Sequence, residues 1–356
     1  MQLIQFILGL TALIIIHELG HFLAARLLKV PVDEFGIGFP PRLLGTARDN
    51  NGKRRWFNHR TPEDIDPDSL ILSLNWIPLG GFVRPRGEND PDVAGGLASA
   101  NPWVRLGVFF AGPAANIIVG LIMAIAIIYS NGEPVTNKVI IQSVESGSPA
   151  ESAGLLANDL FITINGETPE SIDGLRALIE KNKGQSTTVV MLRGEETVTV
   201  VLVPRQDPPP GQGALGVILA NPTRPISLIA ATGGGLYAVY NFTNTLLHLP
   251  LRILNGQAAP EESRLVGYKG MYDIYTRLPS PWEFFAVISL SLGIFNLLPI
   301  PALDGGRILL TLPEIIIRKR IPADYENAIH FVGFAMLILL LIYVNVQDFI
   351  NPAVLP

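Results

Sequence analysis

The sequence predicts a polytopic α-helical membrane protein with a smaller α+β domain inserted between its apolar segments. Three observations support this fold class. The 356 residues are 48% hydrophobic and only 16% charged, and their mean hydropathy of +0.36 is typical of a membrane protein. Several segments are apolar over the roughly 20 residues that a helix needs to cross a bilayer. Between two of these segments, the pattern changes to the alternation of short strands.

Composition also excludes several kinds of site. The chain has no cysteine, which excludes disulfides, thiol catalysis and thiolate metal ligands. Its formal net charge of −5 is modest, so we expect no nucleic-acid partner. With five histidines in the chain, any metal site must be built from His, Asp and Glu.

Four segments are predicted to span the membrane, each with about 20 mostly apolar residues. The third is interrupted near its end by Pro299 and Pro301. Residues 226–251 contain three consecutive glycines and several polar groups, so they are predicted to form an interfacial or peripheral helix. The four predicted spans are residues 2–28, 103–129, 284–303 and 328–346.

Basic residues predict the orientation of these spans. The short loop after the third span contains the basic run 318–320, and the long loop 29–102 contains five prominent basic residues. With four spans both loops lie on one side, which the positive-inside rule makes cytoplasmic, and both termini lie outside. A signal peptide is the alternative for the first segment, but no basic residue precedes its apolar stretch and its centre is polar. The basic residues of the long loop include Lys53, Arg54, Arg55, Arg84 and Arg86.

Residues 136–220 have the element order of a small α+β domain. "VIIQSV" alternates as a strand, and "SPAESAG" indicates a short helix. "DLFITING" indicates a second strand, and "SIDGLRALIEKN" indicates an amphipathic helix. A hairpin that turns at Gly194 follows. This order, with the run "GSPAESAGLLANDLFITINGE", resembles a bacterial PDZ domain. The resemblance implies that "GALGVIL" at 213–219 helps to bind a peptide C-terminus by strand addition. The alternative is a β-rich spacer without a ligand.

The run "LIIIHELGHFLAA", residues 13–25, contains three polar side chains inside an apolar segment. His17 and His21 are four residues apart and share one helix face, where they can bind one Zn²⁺ while Glu18 flanks its open position. A carboxylate at mid-bilayer costs about 2.5–3.5 kcal/mol on insertion scales, so such residues usually face a cavity and take part in chemistry. The alternative is a polar seam between packed helices.

Two histidines leave a catalytic zinc one protein ligand short of the usual three. Asp304, in "FNLLPIPALDGGRILL", stands between two apolar runs, where ligation of a cation would compensate for its burial. The alternative is an aspartate at the membrane edge that pairs with Arg307. The remaining histidines are less suitable: His59 is in a polar stretch, His248 on the doubtful peripheral helix, and His330 near one end of the fourth span, its N-terminal end.

These motifs together resemble the site-2 protease family of intramembrane zinc metalloproteases. "HELGH" lies in the first span, "AGPAAN" in the second and "NLLPIPALDGG" in the third, with the PDZ-like segment between the last two. The resemblance implies that His17, His21 and Asp304 bind Zn²⁺ and that Glu18 is the catalytic base. It also makes Asn296 a candidate for holding the substrate backbone beside the metal.

Two other regions are interpreted through the same resemblance. "FGIGFPP" and "IPLGGFVRPRGE" are similar to the family's membrane-associated β segments, which pair with an unwound substrate. Residues 48–69 look like a polar insertion, and Pro40 stands where the family often has Gly. Asn116, at the end of "GPAAN", either hydrogen-bonds a neighbouring helix or orients a metal ligand, for which Asp304 is the candidate.

The chain is therefore predicted to be an intramembrane zinc endopeptidase that hydrolyses peptide bonds within or near transmembrane segments. We expect a multi-pass protein of a bacterial inner membrane, with the PDZ domain on the extracytoplasmic side. Its expected partners are the lipid bilayer, a membrane-spanning substrate and a peptide C-terminus. The alternatives are a catalytically silent scaffold that binds protein tails through the PDZ domain, and a membrane-anchored protease that cuts soluble chains. The predicted parts are an N-terminal membrane part (1–134), the PDZ domain (135–220), a peripheral helical linker (221–282) and a C-terminal membrane part (283–356).

Overall fold

The computed structural model describes residues 1–259, 262, 264–278 and 280–351. The chain forms two compact units. The first, here called the membrane unit, comprises Met1–Ile127 and Thr232–Pro356, and the second, the α/β unit, comprises Ile128–Ala231.

The helices of the described residues are α1 (Gln2–Leu27), α2 (Pro102–Asn131), α3 (Pro149–Ser152), α4 (Ile172–Lys181), α5 (Leu228–Leu254), α6 (Tyr268–Arg277), α7 (Pro281–Asn296), α8 (Asp304–Ile317) and α9 (Ala323–Ile350). The strands are β1 (Val32–Arg48), β2 (Arg54–Phe57), β3 (Ile71–Pro85), β4 (Glu133–Pro134), β5 (Ile140–Val144), β6 (Leu160–Ile164), β7 (Thr187–Arg193), β8 (Glu196–Leu202), β9 (Val217–Ala220) and β10 (Thr223–Arg224).

Three helices of the described residues, α1, α2 and α9, are long and apolar enough to cross a membrane. They correspond to three of the four predicted spans. The predicted third span, 284–303, is not one continuous helix: α7 has 16 residues and ends at Asn296, and α8 begins at Asp304. Pro299 and Pro301 lie between the two helices, and each lacks the backbone donor that a helix needs to continue. The predicted count of four spans is therefore not confirmed.

The predicted interfacial segment 226–251 forms most of the long helix α5, which continues through its three glycines. This helix is not among those apolar enough to count as a span. Gly235 lets α5 approach α2 closely, because a Cβ at this position would lie 2.5 Å from Cγ1 of Ile125. Its peripheral position at the membrane stays a prediction.

The loop after α1 folds into a sheet in the order β2-β1-β3. The first half of β1, residues 34–37, pairs with residues 81–84 on one side and with residues 71–74 on the other, because β3 bends halfway along its length. The insertion at 48–69, whose structure the sequence does not predict, contributes β2, which pairs with the end of β1 and extends the same sheet. Residues 81–85 consequently form an outer strand of the sheet, here called the edge segment.

The α/β unit has the element order that the sequence predicts for a PDZ domain. Its main sheet has the order β8-β7-β6-β5-β9, and β7 and β8 form the hairpin that turns at Gly194. Helix α4 and the short helix α3 contribute to the buried core of this unit. A groove of 560 Å³ lies between α4 and the segment 213–219. In the described sheet β9 pairs with β5 on one side, which leaves its other edge facing this groove.

Candidate metal centre and active site

Two side chains of α1 meet a third from a distant part of the membrane unit. The Nε2 atoms of His17 and His21, one turn apart on α1, are 3.2 Å apart. Oδ2 of Asp304 lies 3.1 Å from Nε2 of His17 and 3.3 Å from Nε2 of His21. All three side chains are at most 16% exposed. Within the described parts of the chain, this is the cluster whose ligand atoms could hold a metal ion.

The spacing of these three atoms fits zinc. The ligand atoms of a tetrahedral zinc ion, bound at about 2.0–2.1 Å, lie about 3.3 Å from one another, and the observed separations are 3.1, 3.2 and 3.3 Å. Oδ2 of Asp304 is buried without a hydrogen bond. A buried carboxylate oxygen this close to two imidazole nitrogens needs a compensating positive charge, which a bound metal ion or a proton on an imidazole supplies. The residues present therefore fit a zinc ion.

Helix α2 orients His21. The carbonyl oxygen of Val108 can only accept a hydrogen bond, so Nδ1 of His21, 2.8 Å away, carries the proton and leaves the Nε2 lone pair free for a metal. Gly112 makes room for this imidazole, because a Cβ there would overlap the ring. The glycine of the "AGPAAN" motif is therefore explained by the close approach of α2 to a metal-ligand candidate.

Asn116 of α2 lies beside His17, whereas the sequence suggested Asp304 as the ligand that it orients. The side chain is fully buried, and its Nδ2 is 3.5 Å from Nδ1 of His17. The main-chain carbonyl of Asn116 accepts a hydrogen bond of 2.8 Å from Oγ of Ser289 on α7. Asn116 thus lies at a helix–helix contact and beside the metal-ligand candidate on α1.

The connection between α7 and α8, residues 297–303, brings Asp304 to α1 and is here called the aspartate loop. Asp304 is the first residue of α8, where the positive end of the helix dipole favours a carboxylate. The next two residues, Gly305 and Gly306, pack directly on the loop, because a Cβ at either position would overlap its backbone carbonyls. The two glycines of "LDGG" therefore let the first turn of α8 pack against the loop.

The alternative interpretation of Asp304 requires an ion pair with Arg307. The structure does not show this pair. The Arg307 guanidinium instead forms an ion pair with Glu88, a residue that follows β3. Both residues line the cavity that contains Asp304. The Asp304 carboxylate thus faces the two histidines without a compensating arginine, which removes the simplest non-metal explanation of its burial.

Glu18 lies at the same cavity and is hydrogen-bonded to the sheet. Its Oε2 accepts a bond of 3.0 Å from the backbone N–H of Val83 in the edge segment. The cavity has a volume of 330 Å³, and its wall includes the three metal-ligand candidates, Glu18 and most of the edge segment. The sequence does not predict the contact with Val83, because a backbone donor has no signature in residue type.

The other candidates do not join the cluster. Asn296 lines the cavity, and its Nδ2 donates a hydrogen bond of 2.9 Å to the Leu292 carbonyl one turn earlier in α7. Its role in substrate binding stays a prediction. His59 and His248 are exposed, and His330 accepts a hydrogen bond from the backbone of the aspartate loop.

Comparison with known proteins identifies the family. The model of peptidase family M50 matches residues 5–54 and 70–340, and the unmatched stretch between them falls within the predicted insertion. A protein of Clostridium perfringens, provisionally named a zinc metalloprotease, is 33% identical over 99% of both chains. A protein of Clostridium acetobutylicum with the same kind of name is 29% identical over 97% of this chain and 96% of its own.

Two further matches are more distant. A protein of Arabidopsis thaliana, provisionally named a chloroplastic membrane metalloprotease, is 27% identical over 96% of this chain and 78% of its own. Among solved structures, the PDZ domain of an SdrC-like protein from Listeria monocytogenes matches 23% of this chain and 87% of its own, at 23% identity and a TM-score of 0.21, which is too low to support an argument. The family model and the 33% identical relative together show that the chain belongs to peptidase family M50, the zinc metalloproteases of the site-2 protease type.

Proposed function

We propose that this zinc metalloprotease hydrolyses peptide bonds within or near the transmembrane segments of other membrane proteins. The observation that carries the proposal is the triangle of His17, His21 and Asp304, which is centred on a helix long and apolar enough to span a bilayer. A substrate must reach the depth of that helix to be cut. Membrane-spanning chains meet this requirement.

In this proposal, His17, His21 and Asp304 hold the zinc ion. Bound zinc supplies Lewis acidity towards a water molecule and a peptide carbonyl. Glu18 accepts the proton of the attacking water and returns it to the leaving amine. The N–H of Val83 holds one oxygen of Glu18, which orients the carboxylate for both proton transfers.

The edge segment provides a surface for an unwound substrate. A transmembrane helix hides its peptide bonds in i→i−4 hydrogen bonds, so a substrate must unwind locally before it can be cut. An extended chain that pairs with the backbone groups of residues 81–85 other than the Val83 N–H would regain backbone hydrogen bonds while passing the wall of the metal cavity. Asn296, on the same cavity, is proposed to hold the substrate backbone beside the metal.

The bilayer is proposed as the setting of the membrane unit, and the exposed apolar side chains of its sheet support this. We propose a multi-pass protein of the inner membrane with the α/β unit on the extracytoplasmic side, because the positive-inside rule puts the basic loop 29–102, which precedes α2, in the cytoplasm. The groove beside β9 is proposed to take the C-terminus of a trimmed substrate by strand addition. The exposed apolar residues of the sheet include Ile37, Phe39, Leu43, Leu72, Leu74, Trp76, Ile77 and Leu79.

The full chain in liposomes tests this function with a pair of single-span substrates. The two differ only at mid-span, where one carries a Gly-Pro pair that weakens the helix and the other carries Leu-Leu. We expect the first to be cut, a chelator to stop the reaction, and zinc to restore it. Cleavage of an unfolded soluble protein at an equal or greater rate would instead support the membrane-anchored protease. A zinc-free protein that binds peptide tails without cleavage would support the scaffold.

Substitution of Val83 by proline tests the proposed orientation of Glu18. Since the Val83 N–H points to Glu18 and not to β1, proline removes this donor without removing a ladder bond, as is tolerated on an edge strand. A hydrogen bond to a charged group contributes about 1.5–3 kcal/mol, so we expect cleavage to fall about 10- to 100-fold while zinc content is unchanged. Val83→Ala, which keeps the N–H, is the control. Equal rates for the two variants would contradict the assignment.

A further inference from the structure

His330, which has no role in the chemistry above, contacts the aspartate loop. It lies near the start of α9, and its Nδ1 accepts a hydrogen bond of 2.9 Å from the backbone N–H of Ala302. Ala302 has a φ of +75°, in the left-handed region that residues with a Cβ seldom adopt. The hydrogen bond therefore holds an unfavourable backbone conformation two residues before Asp304.

A second contact from α9 lies one turn further along the helix. Gly333 is buried, and a Cβ at this position would overlap the backbone of Pro301. Helix α9 thus contacts two successive loop residues, one through an imidazole and the other through a close backbone approach. Gly305 and Gly306 of α8 pack on the same loop. The loop is therefore held by both of the helices that follow it.

The chemistry of the imidazole defines what His330 contributes. Nδ1 can accept the Ala302 N–H only when it carries no proton itself, so the ring is neutral with its proton on Nε2. An asparagine at this position would present Oδ1, also an acceptor, at the corresponding place in the side chain. A leucine would fill similar space without an acceptor. The charged side chains that act electrostatically on the His330 ring are Arg307 of α8, Glu326 of α9 and Glu88 after β3.

We propose that His330 is a positioning residue for the metal centre: by accepting the Ala302 N–H, it holds the aspartate loop in the conformation that brings Asp304 to His17 and His21. This inference rests on the proposed function in assigning Asp304 to the metal. The contact itself is a property of the fold and can be tested without a substrate.

The absence of cysteine from the chain permits a direct test. Leu303→Cys places a single thiol at the end of the aspartate loop, and its alkylation by a maleimide is followed in the detergent-purified full chain. Zinc retained during a chelator challenge is measured in parallel on chains without the added thiol. The variants compared are His330→Leu and His330→Asn. His248→Leu is the matched control, because Nδ1 of His248 lies 2.8 Å from a carbonyl of its own helix and the side chain is exposed.

Loss of the partly buried hydrogen bond that holds the loop should raise alkylation of the His330→Leu chain about tenfold, and the zinc of that variant should be lost faster. His330→Asn should remain within about twofold of the parent, as should His248→Leu. The proposal is overturned if His330→Leu matches the parent in both measurements, or if His330→Asn behaves like His330→Leu. A parent chain that binds no zinc would instead refute the assigned metal centre, while the alkylation rates would still test the contact between α9 and the loop.

Discussion

Glu18→Gln is expected to retain zinc and to lose about 10²- to 10⁴-fold in the rate of peptide hydrolysis, the range for removal of a general acid–base group. A glutamine amide cannot accept the proton of the attacking water. Its carbonyl oxygen can still accept the Val83 N–H that Glu18 accepts, so the side chain should keep its place. The measurements are zinc per chain and the initial rate of cleavage of a single-span substrate in liposomes.

The matched control for this variant is Glu63→Gln, which makes the same change of charge at an exposed position in the insertion. It should cleave at the rate of the parent. Parental activity in Glu18→Gln would show that the base is misassigned. Loss of zinc from Glu18→Gln would show that Glu18 is a ligand, which would leave the identity of the base open to other residues of the cavity.

Asp304→Asn is expected to weaken zinc binding more than about 100-fold, because loss of groups that only support a metal ligand already costs about 10- to 100-fold. The substitution removes the one anionic donor of the triangle while keeping the size of the side chain. Two histidines then remain for an ion that usually has three protein ligands in a catalytic site. Competition with a chelator of known affinity measures the change, and cleavage should be lost with the metal.

Asp324→Asn serves as the control, since Asp324 is exposed in the first turn of α9 and outside the cluster. Its zinc affinity should equal that of the parent. If Asp304→Asn bound zinc as tightly as the parent, the carboxylate would not be a ligand. The negative charge of this buried carboxylate, beside two imidazoles, would then need another compensating group.

Several features of the site could be predicted from the sequence because they are local. His17 and His21 share a helix face through their spacing alone, and the adjacent Glu18 follows from the same motif. Asp304 could be proposed from its isolation between apolar runs and from the family resemblance. Its distance of 3.1 Å from His17, however, depends on the packing of segments separated by almost the whole chain.

Other features could not be predicted. The contacts that orient the candidate groups come from backbone atoms: the Val108 carbonyl on His21 and the Val83 N–H on Glu18. Every residue carries such atoms, so residue type does not indicate which of them is used. The pairing of the insertion with β1 was missed for a similar reason, because its polar composition does not indicate a strand partner.

The sequence by itself determined the properties that depend on neighbours along the chain. These are the apolar length of α1, α2 and α9, the alternation that forms the strands of the α/β unit, and the placement of two histidines and a glutamate on one helix. The tertiary structure decided which distant groups meet. It brought Asp304 to α1, and it did so through close packing at glycines such as Gly112, against the His21 ring, and Gly305, against the aspartate loop. Such packing depends on the shapes of several segments at once, which no local pattern encodes.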